Sequence, residues 1–371
     1  MQSPDLTALT QQVLWAAFAL SVAFGAIVQR THFCTMGAIS DIVSMGDWTR
    51  MRQWALAAGV AVLGFAALVF FGQIDPAKTL YASNRWLWLS ALVGGAMFGF
   101  GMVLASGCGS KTLVRIGGGS LKALVVFVVM AVAAFATLRG ITAVVRVGTV
   151  DQVAATLPTQ AALPSMLAPV LGWSLAATSL SLGLGLGGLL VAWALVGREF
   201  IRGENLLAGL GIGAVLVAMW WVSGHLGHVA EHPDTLEEAF LASQSGRIES
   251  FSFVAPFAYT LDWLMFFSDK SKVLRLGTVS VAGVVGGSLA AALASRSFRW
   301  EGFGGTEDVA NHLLGAVLMG VGGITALGCT VGQGLSGLST LSLTSFVALA
   351  AIFGGAVLAL RYQGMRLERM A

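Results

Sequence analysis

The chain has 371 residues, of which 56% are hydrophobic and 11% charged, with 48 glycines and a formal net charge of +3. Soluble domains carry about 25% charged residues, and disordered chains combine low hydrophobicity with high net charge; the composition excludes both classes and leaves an all-α polytopic membrane protein. A charge of +3 with no basic stripe leaves no footprint for nucleic acid.

A membrane-spanning helix takes about 20 mostly apolar residues. The opening residues MQSPDLTALTQQ lack the basic start of a secretory signal, so the first apolar run, 12–28, reads as a retained span. Further runs lie at 54–72, 87–105, 121–138, 172–196, 205–222, 275–295, 313–331 and 341–360, about nine in all. Lys and Arg near span ends set orientation. Arg30, Arg50 and Arg52 follow the first run; Lys111, Arg115 and Lys122 follow the third; Arg198 and Arg202 follow the fifth; Arg361, Arg366 and Arg369 occupy the tail. Placing all four groups in the cytoplasm puts the N-terminus outside and the C-terminus inside. The stretch 223–250, with Glu231, Asp234, Glu237, Glu238 and Glu249, falls outside as an exposed amphipathic loop or helix, and Lys270, Lys272 and Arg275 also fall outside, against the rule.

The sequence repeats itself. Gly94, Gly99, Gly101, Ala105, Gly107 and Cys108 recur 221 positions later as Gly315, Gly320, Gly322, Ala326, Gly328 and Cys329, and the same offset carries Asp41 onto Asp262. In a nine-span chain the mates run in opposite directions, which predicts a single transmembrane domain over 1–371 built of inverted halves at about 10–140 and 205–361. Such halves commonly place a substrate site at the membrane midplane.

The chain has three cysteines, each where an apolar run gives way to small or hydroxylated residues: QRTHFCTMGAISD at 29–41, ASGCGSKTLVRIGGGS at 105–120 and LGCTVGQGLSGLST at 327–340. Such stretches break a helix and restart it, and irregular backbone at membrane depth survives only inside protein or along a wet cavity. A restarted helix aims its N-terminus inward, where it favours anions. Cys34, Cys108 and Cys329, with the flanking Gly107, Gly109 and Gly328, are therefore candidate substrate contacts. Lys111 is a candidate for attracting an anion or for anchoring the loop, and Gln333 a candidate donor or a packing amide. Asp41 and Asp262 read as helix caps or cation ligands. His225 and His228 read as interfacial residues beside Trp220 and Trp221 or as proton carriers, and His32 as a pore-entrance group or a packed side chain. No CxxC pair or histidine spacing holds a metal, no nucleotide-binding loop or nucleophile elbow is present, and no cofactor is expected.

At these residues the sequence resembles the YeeE/YedE family of bacterial inner-membrane thiosulfate transporters. The resemblance rests on VQRTHFCTMGAISD, ASGCGSKTLVR, GHLGH followed by ESFSFVAPFAYTLDWLM, and GCTVGQGLSGLS, and covers essentially the whole chain. It implies an hourglass-like membrane protein, not an enzyme, that hands the thiosulfate ion along Cys34, Cys108 and Cys329, in some relatives alongside a small TusA-like sulfur-carrier protein or in selenium metabolism. A neutral thiol offers a weak S–H donor, suited to holding a soft sulfur briefly. The competing expectation is a membrane-bound sulfurtransferase that passes persulfide sulfur to such a carrier.

Overall fold

A computed structural model describes residues 6–233 and 235–370; Met1–Asp5, Asp234 and Ala371 lie outside the described residues. The first half comprises α1 (Leu6–Thr31), α2 (Thr35–Met45), α3 (Thr49–Phe70), α4 (Trp88–Leu104), α5 (Gly109–Gly117) and α6 (Leu121–Arg139). A middle section holds α7 (Ile141–Gly148), α8 (Leu163–Leu171) and α9 (Leu175–Val196). The rest comprises α10 (Gly203–Leu226, partly π-helical), α11 (Ala255–Met265), α12 (Leu276–Ala294), α13 (Thr306–Thr325), the π-helical turn α14 (Gly332–Gly337) and α15 (Leu343–Met370). Strands are confined to two short antiparallel pairs: β1 (Arg85–Trp86) with β2 (Ala155–Thr156), and β3 (His228–Val229) with β4 (Ala239–Phe240).

Among the described residues, eight helical segments are long and apolar enough to cross a membrane. They match the expected spans except 313–331, which falls on α13. That helix begins with Glu307 and Asp308, acids that suit the positive end of a helix dipole but lower its hydropathy. Its crossing follows from backbone pairing between loops. Ser120 bridges Glu301, whereas Ala162 bridges Ser342. Because α6 separates residues 120 and 162, these two bridges lie at opposite ends of the bundle, and α13 joins them. Outward-facing α6 residues Leu121, Leu124, Val125, Val128 and Val132 are exposed. That helical stripe would be an aggregation surface in water and is a lipid-facing surface in a membrane. The chain is a multi-pass membrane protein.

Between membrane helices small residues allow the close approach that the hydrophobic effect no longer drives. A Cβ at Gly322 would lie 2.6 Å from the Gly94 carbonyl oxygen, and one at Gly315 would lie 2.6 Å from that of Gly101. Position 94 therefore meets 322 while 101 meets 315, so α4 and its sequence mate α13 run antiparallel. Displacement by 221 positions also carries α2 onto α11, α3 onto α12 and α6 onto α15. The neighbours correspond too: α4 packs along α15, and α13 along α6.

Among its described residues the acidic stretch 223–250 forms no long helix. It folds as the β3–β4 hairpin and a loop tied to the α3–α4 connection: Ile248 exchanges backbone hydrogen bonds with Lys78 and Leu80, and Glu238 pairs at 2.6 Å with both Lys78 and His228. His225 stacks on Trp221, with ring centroids 5.3 Å apart.

Candidate functional site

Two of the three helix breaks are built alike. The α4 helix ends with Ser106 N–H bonded to Val103 O and Gly107 N–H to Met102 O; α13 ends with Leu327 N–H bonded to Ile324 O and Gly328 N–H to Gly323 O. These are paired Schellman closures. Their left-handed residues are Ser106 and Leu327, at φ 55° and 59°, not the glycines that follow. A non-glycine residue in that region costs about 1 kcal/mol or more, and Arg115 Nη1 braces the first turn with a 3.0 Å bond to Ser106 O. The remaining break, after α1, turns at His32 with φ 54°. The N–H groups of Gly107 and Gly328 are thus committed to helix ends and are not open to a ligand. Gly109 opens α5 against Phe253, with ordinary space for a Cβ at 3.5 Å.

All three cysteines stand at helix restarts. Cys34 is the N-cap of α2, its sulfur accepting from Gly37 N–H at 3.4 Å; Cys329 Sγ accepts from Gly332 N–H at 3.3 Å. Cys108 is the N-cap of α5 by position, its sulfur 3.3 Å from Ser110 Oγ. At Cys34 and Cys329 sulfur takes the capping role that serine or aspartate usually fills. Cys34 and Thr330, the residue next to Cys329, are both neighbours of Cys108, and neither is hydrogen-bonded to it. The three thiols are free and nearly sealed, at 9%, 1% and 0% exposure for Cys34, Cys108 and Cys329. The Thr330 hydroxyl is also buried and has no partner. Buried polar groups are normally satisfied, so an orphan hydroxyl among three thiols marks a place where a ligand can be held.

On the Cys34 side lie cations. Lys111 is half-buried and, among the described residues, forms no ion pair; its charge acts on Cys34 and Cys108 and is felt by His32. Arg50 lies over Gly37, where a Cβ would be 2.5 Å from Nη1, and its Nε pairs with Asp41 Oδ2 at 3.2 Å. Asp41 caps no helix end, and neither does Asp262, which pairs with Lys272 at 2.5 Å. Cys34 has the capping role, and each aspartate, a turn or more into its helix, meets a cation nine or ten residues on. On the Cys329 side, Gln333 is fully buried with its amide partly used: Nε2 donates to Ala326 O at 2.7 Å and Oε1 accepts from Ser345 Oγ at 2.5 Å. These two bonds hold the turn together and leave the second Nε2 hydrogen unused. Beyond it opens a cavity of about 310 Å³ whose floor includes Leu327, Gly328 and Gln333.

Sequence reasoning missed Thr330 and Ser110 as site groups and treated Arg50 only as an orientation charge. The hydroxyl residues do stand beside the cysteines in sequence, which is the signal that was available. The Arg50–Gly37 contact is tertiary and leaves none.

A polytopic helical bundle with sealed thiols at helix restarts, cations on one side and a cavity on the other, is the architecture of a membrane transporter. The chain belongs to the sulphur transport family, which it matches over residues 30–358. The thiosulfate transporter TsuA of Escherichia coli strain K12 is 27% identical over 323 residues, 84% of this chain and 83% of that protein. The thiosulfate transporter TsuA of Spirochaeta thermophila is 24% identical over 342 residues, covering 91% and 94% respectively. The probable transporter YedE of Escherichia coli strain K12 is 30% identical over 110 residues, 30% of this chain and 26% of that protein. The chain is a transporter and not an enzyme.

Proposed function

We propose that this protein carries the thiosulfate ion inward across the bacterial inner membrane, along a path lined by Cys34, Cys108 and Cys329. The observation that carries the reading is the convergence of three free thiols at helix restarts, beside an orphan Thr330 hydroxyl. Thiosulfate is a dianion with one soft terminal sulfur. Thiols suit that sulfur, while hydroxyls and helix N-termini suit its oxygens. Each contact is weak, and weak serial contacts release their cargo. The two relatives named thiosulfate transporter, similar over most of the chain, point to the same substrate.

The proposal includes the orientation, with the N-terminus periplasmic and the C-terminus cytoplasmic, and inverted halves at about 10–140 and 205–361. Cys329 is then the station nearer the periplasm and Cys34 the station nearer the cytoplasm. Inward movement of a dianion against an inside-negative potential costs about 2.3 kcal/mol per charge per 100 mV, so cytoplasmic consumption, by a TusA-like sulfur carrier among other sinks, draws the flux. The test is uptake into proteoliposomes of thiosulfate labelled on its outer sulfur. Intact labelled thiosulfate inside the vesicles is the expected result. Release of sulfite with label left on a cysteine would replace transport by sulfur transfer.

Lys111→Gln removes the unpaired cation beside Cys34 and Cys108. Its charge-assisted contact with an anion is worth about 1.5–3 kcal/mol, so the uptake rate is expected to fall by about tenfold or more. Lys111→Arg restores most of it. Equal rates for the wild type and the glutamine variant would assign Lys111 to loop anchoring alone.

A further inference from the structure

The cavity on the Cys329 side has no role in the thiol path, yet its walls are unlike the rest of the bundle. It holds about 310 Å³, and Arg85, Arg146, Glu249 and Ser342 are among its lining residues. The two arginines are fixed by a single residue. Asp151 accepts from Arg85 Nη2 through its carbonyl at 2.5 Å, pairs with Arg146 Nη1 through Oδ2 at 3.0 Å, and is itself held through Oδ1 by Ser90 Oγ at 2.6 Å. Asp151 is 8% exposed, so the cluster is a built structure and not a mobile surface pair.

Two donors in this cavity have no partner. Arg146 Nε is buried and unbonded, and so is the hydroxyl of Ser342, a residue 1% exposed. Orphaned buried donors are rare; two lining one cavity define a place for an acceptor. The charge balance agrees. Arg247 bonds the Ala82 carbonyl between two lining residues, and Arg275 acts on Glu249. Two arginines therefore line the cavity and two more lie near it, against the carboxylates of Asp151 and Glu249, and burial pushes the Glu249 carboxyl up, toward its neutral form. All four arginines lie at the end that the proposed orientation makes periplasmic, where basic residues are ordinarily scarce.

We infer that this cavity is an outer oxyanion station that binds sulfate-like dianions without any thiol, ahead of Cys329. The inference rests on the transport reading above for its place in the path, but the station's binding does not depend on transport. Arginine forks match tetrahedral oxyanions, and they recognise oxygen, not soft sulfur. The station therefore takes sulfate and thiosulfate alike, and discrimination is left to the thiols beyond.

The test uses full-length protein in detergent at fixed ionic strength, with labelled sulfate as the probe, beside thiosulfate uptake in proteoliposomes. Sulfate is expected to bind the wild type and the Cys34→Ala/Cys108→Ala/Cys329→Ala variant equally, and to inhibit thiosulfate uptake competitively. Arg85→Gln and Arg146→Gln should each weaken sulfate binding about tenfold or more, raise KM for thiosulfate and leave kcat within about twofold of wild type. Because Arg146→Gln strands Asp151, Arg146→Gln/Asp151→Asn and Ser342→Ala provide variants that leave no buried charge behind; each should also weaken binding. Sulfate binding unchanged by every one of these substitutions, or absent from the wild type, overturns the station. A wild type that binds sulfate through these arginines but carries no thiosulfate overturns the transport reading and leaves the station intact.

Discussion

Replacing Cys108 by alanine is expected to lower thiosulfate uptake by about a hundredfold while leaving the protein folded. Cys108 is the middle thiol: Cys34 and Thr330 are both its neighbours, and Ser110 Oγ lies 3.3 Å from its sulfur. The site is sealed, with Cys108 1% exposed, so no water replaces the lost S–H. A buried polar group left without its partner costs about 1–3 kcal/mol, which is about 5–150-fold in rate if the loss falls on the transit step. Removing Cys108 strips a contact from the cargo and from both neighbouring stations, so the upper part of that range applies. Cys34→Ala should cost less, because Cys34 is the most exposed of the three and Lys111 remains beside it. Initial uptake rates at saturating thiosulfate, with size-exclusion profiles as the folding control, decide the matter. A Cys108→Ala rate within twofold of wild type would remove the middle station from the path.

The parts of this site that could be read from sequence are those set by local rules. The three breaks are legible because Schellman closures and N-caps depend on residues within one turn, and the 221-residue offset is legible because both halves kept those residues. The same local habit misplaced one expectation. Asp41 and Asp262 look like caps by residue type, but Cys34 occupies the cap of α2 and the aspartates find Arg50 and Lys272 through tertiary approach. Gln333 reads as a donor or a packing amide, and Ala326 and Ser345, seven and twelve residues away, take one of its N–H groups and its oxygen. The outer cluster of Arg85, Arg146 and Asp151 was invisible for a stronger reason. Its members come from segments about 60 residues apart, joined by the β1–β2 pairing, and no local pattern records that meeting. The ninth span, on α13, was found from its apolar body although its acidic first turn lowers its hydropathy.

Gly322→Ala is expected to destabilise the fold by about 1–3 kcal/mol, the range for forcing a methyl group into a packed contact, although alanine is ordinarily the better helix former. The added Cβ would lie 2.6 Å from both the Gly94 oxygen and the Phe98 nitrogen of α4. Both are backbone atoms, so neither can rotate away, and α4 and α13 must separate. That separation reaches the thiols. Gly322 O accepts the Ala326 N–H that closes α13, and the same turn runs through Gly328 into Cys329. On the other helix, α4 ends in the turn that leads into Cys108. Uptake should therefore fall together with thermal stability, in contrast to Cys108→Ala, where uptake falls alone. Gly354→Ala is the matched control: nothing lies within 4 Å of its added Cβ on α15, and its melting temperature should equal or slightly exceed wild type. If Gly322→Ala and Gly354→Ala melt together, the α4–α13 crossing is looser than its glycine contacts require, and these helices would not fix the spacing between Cys108 and Cys329.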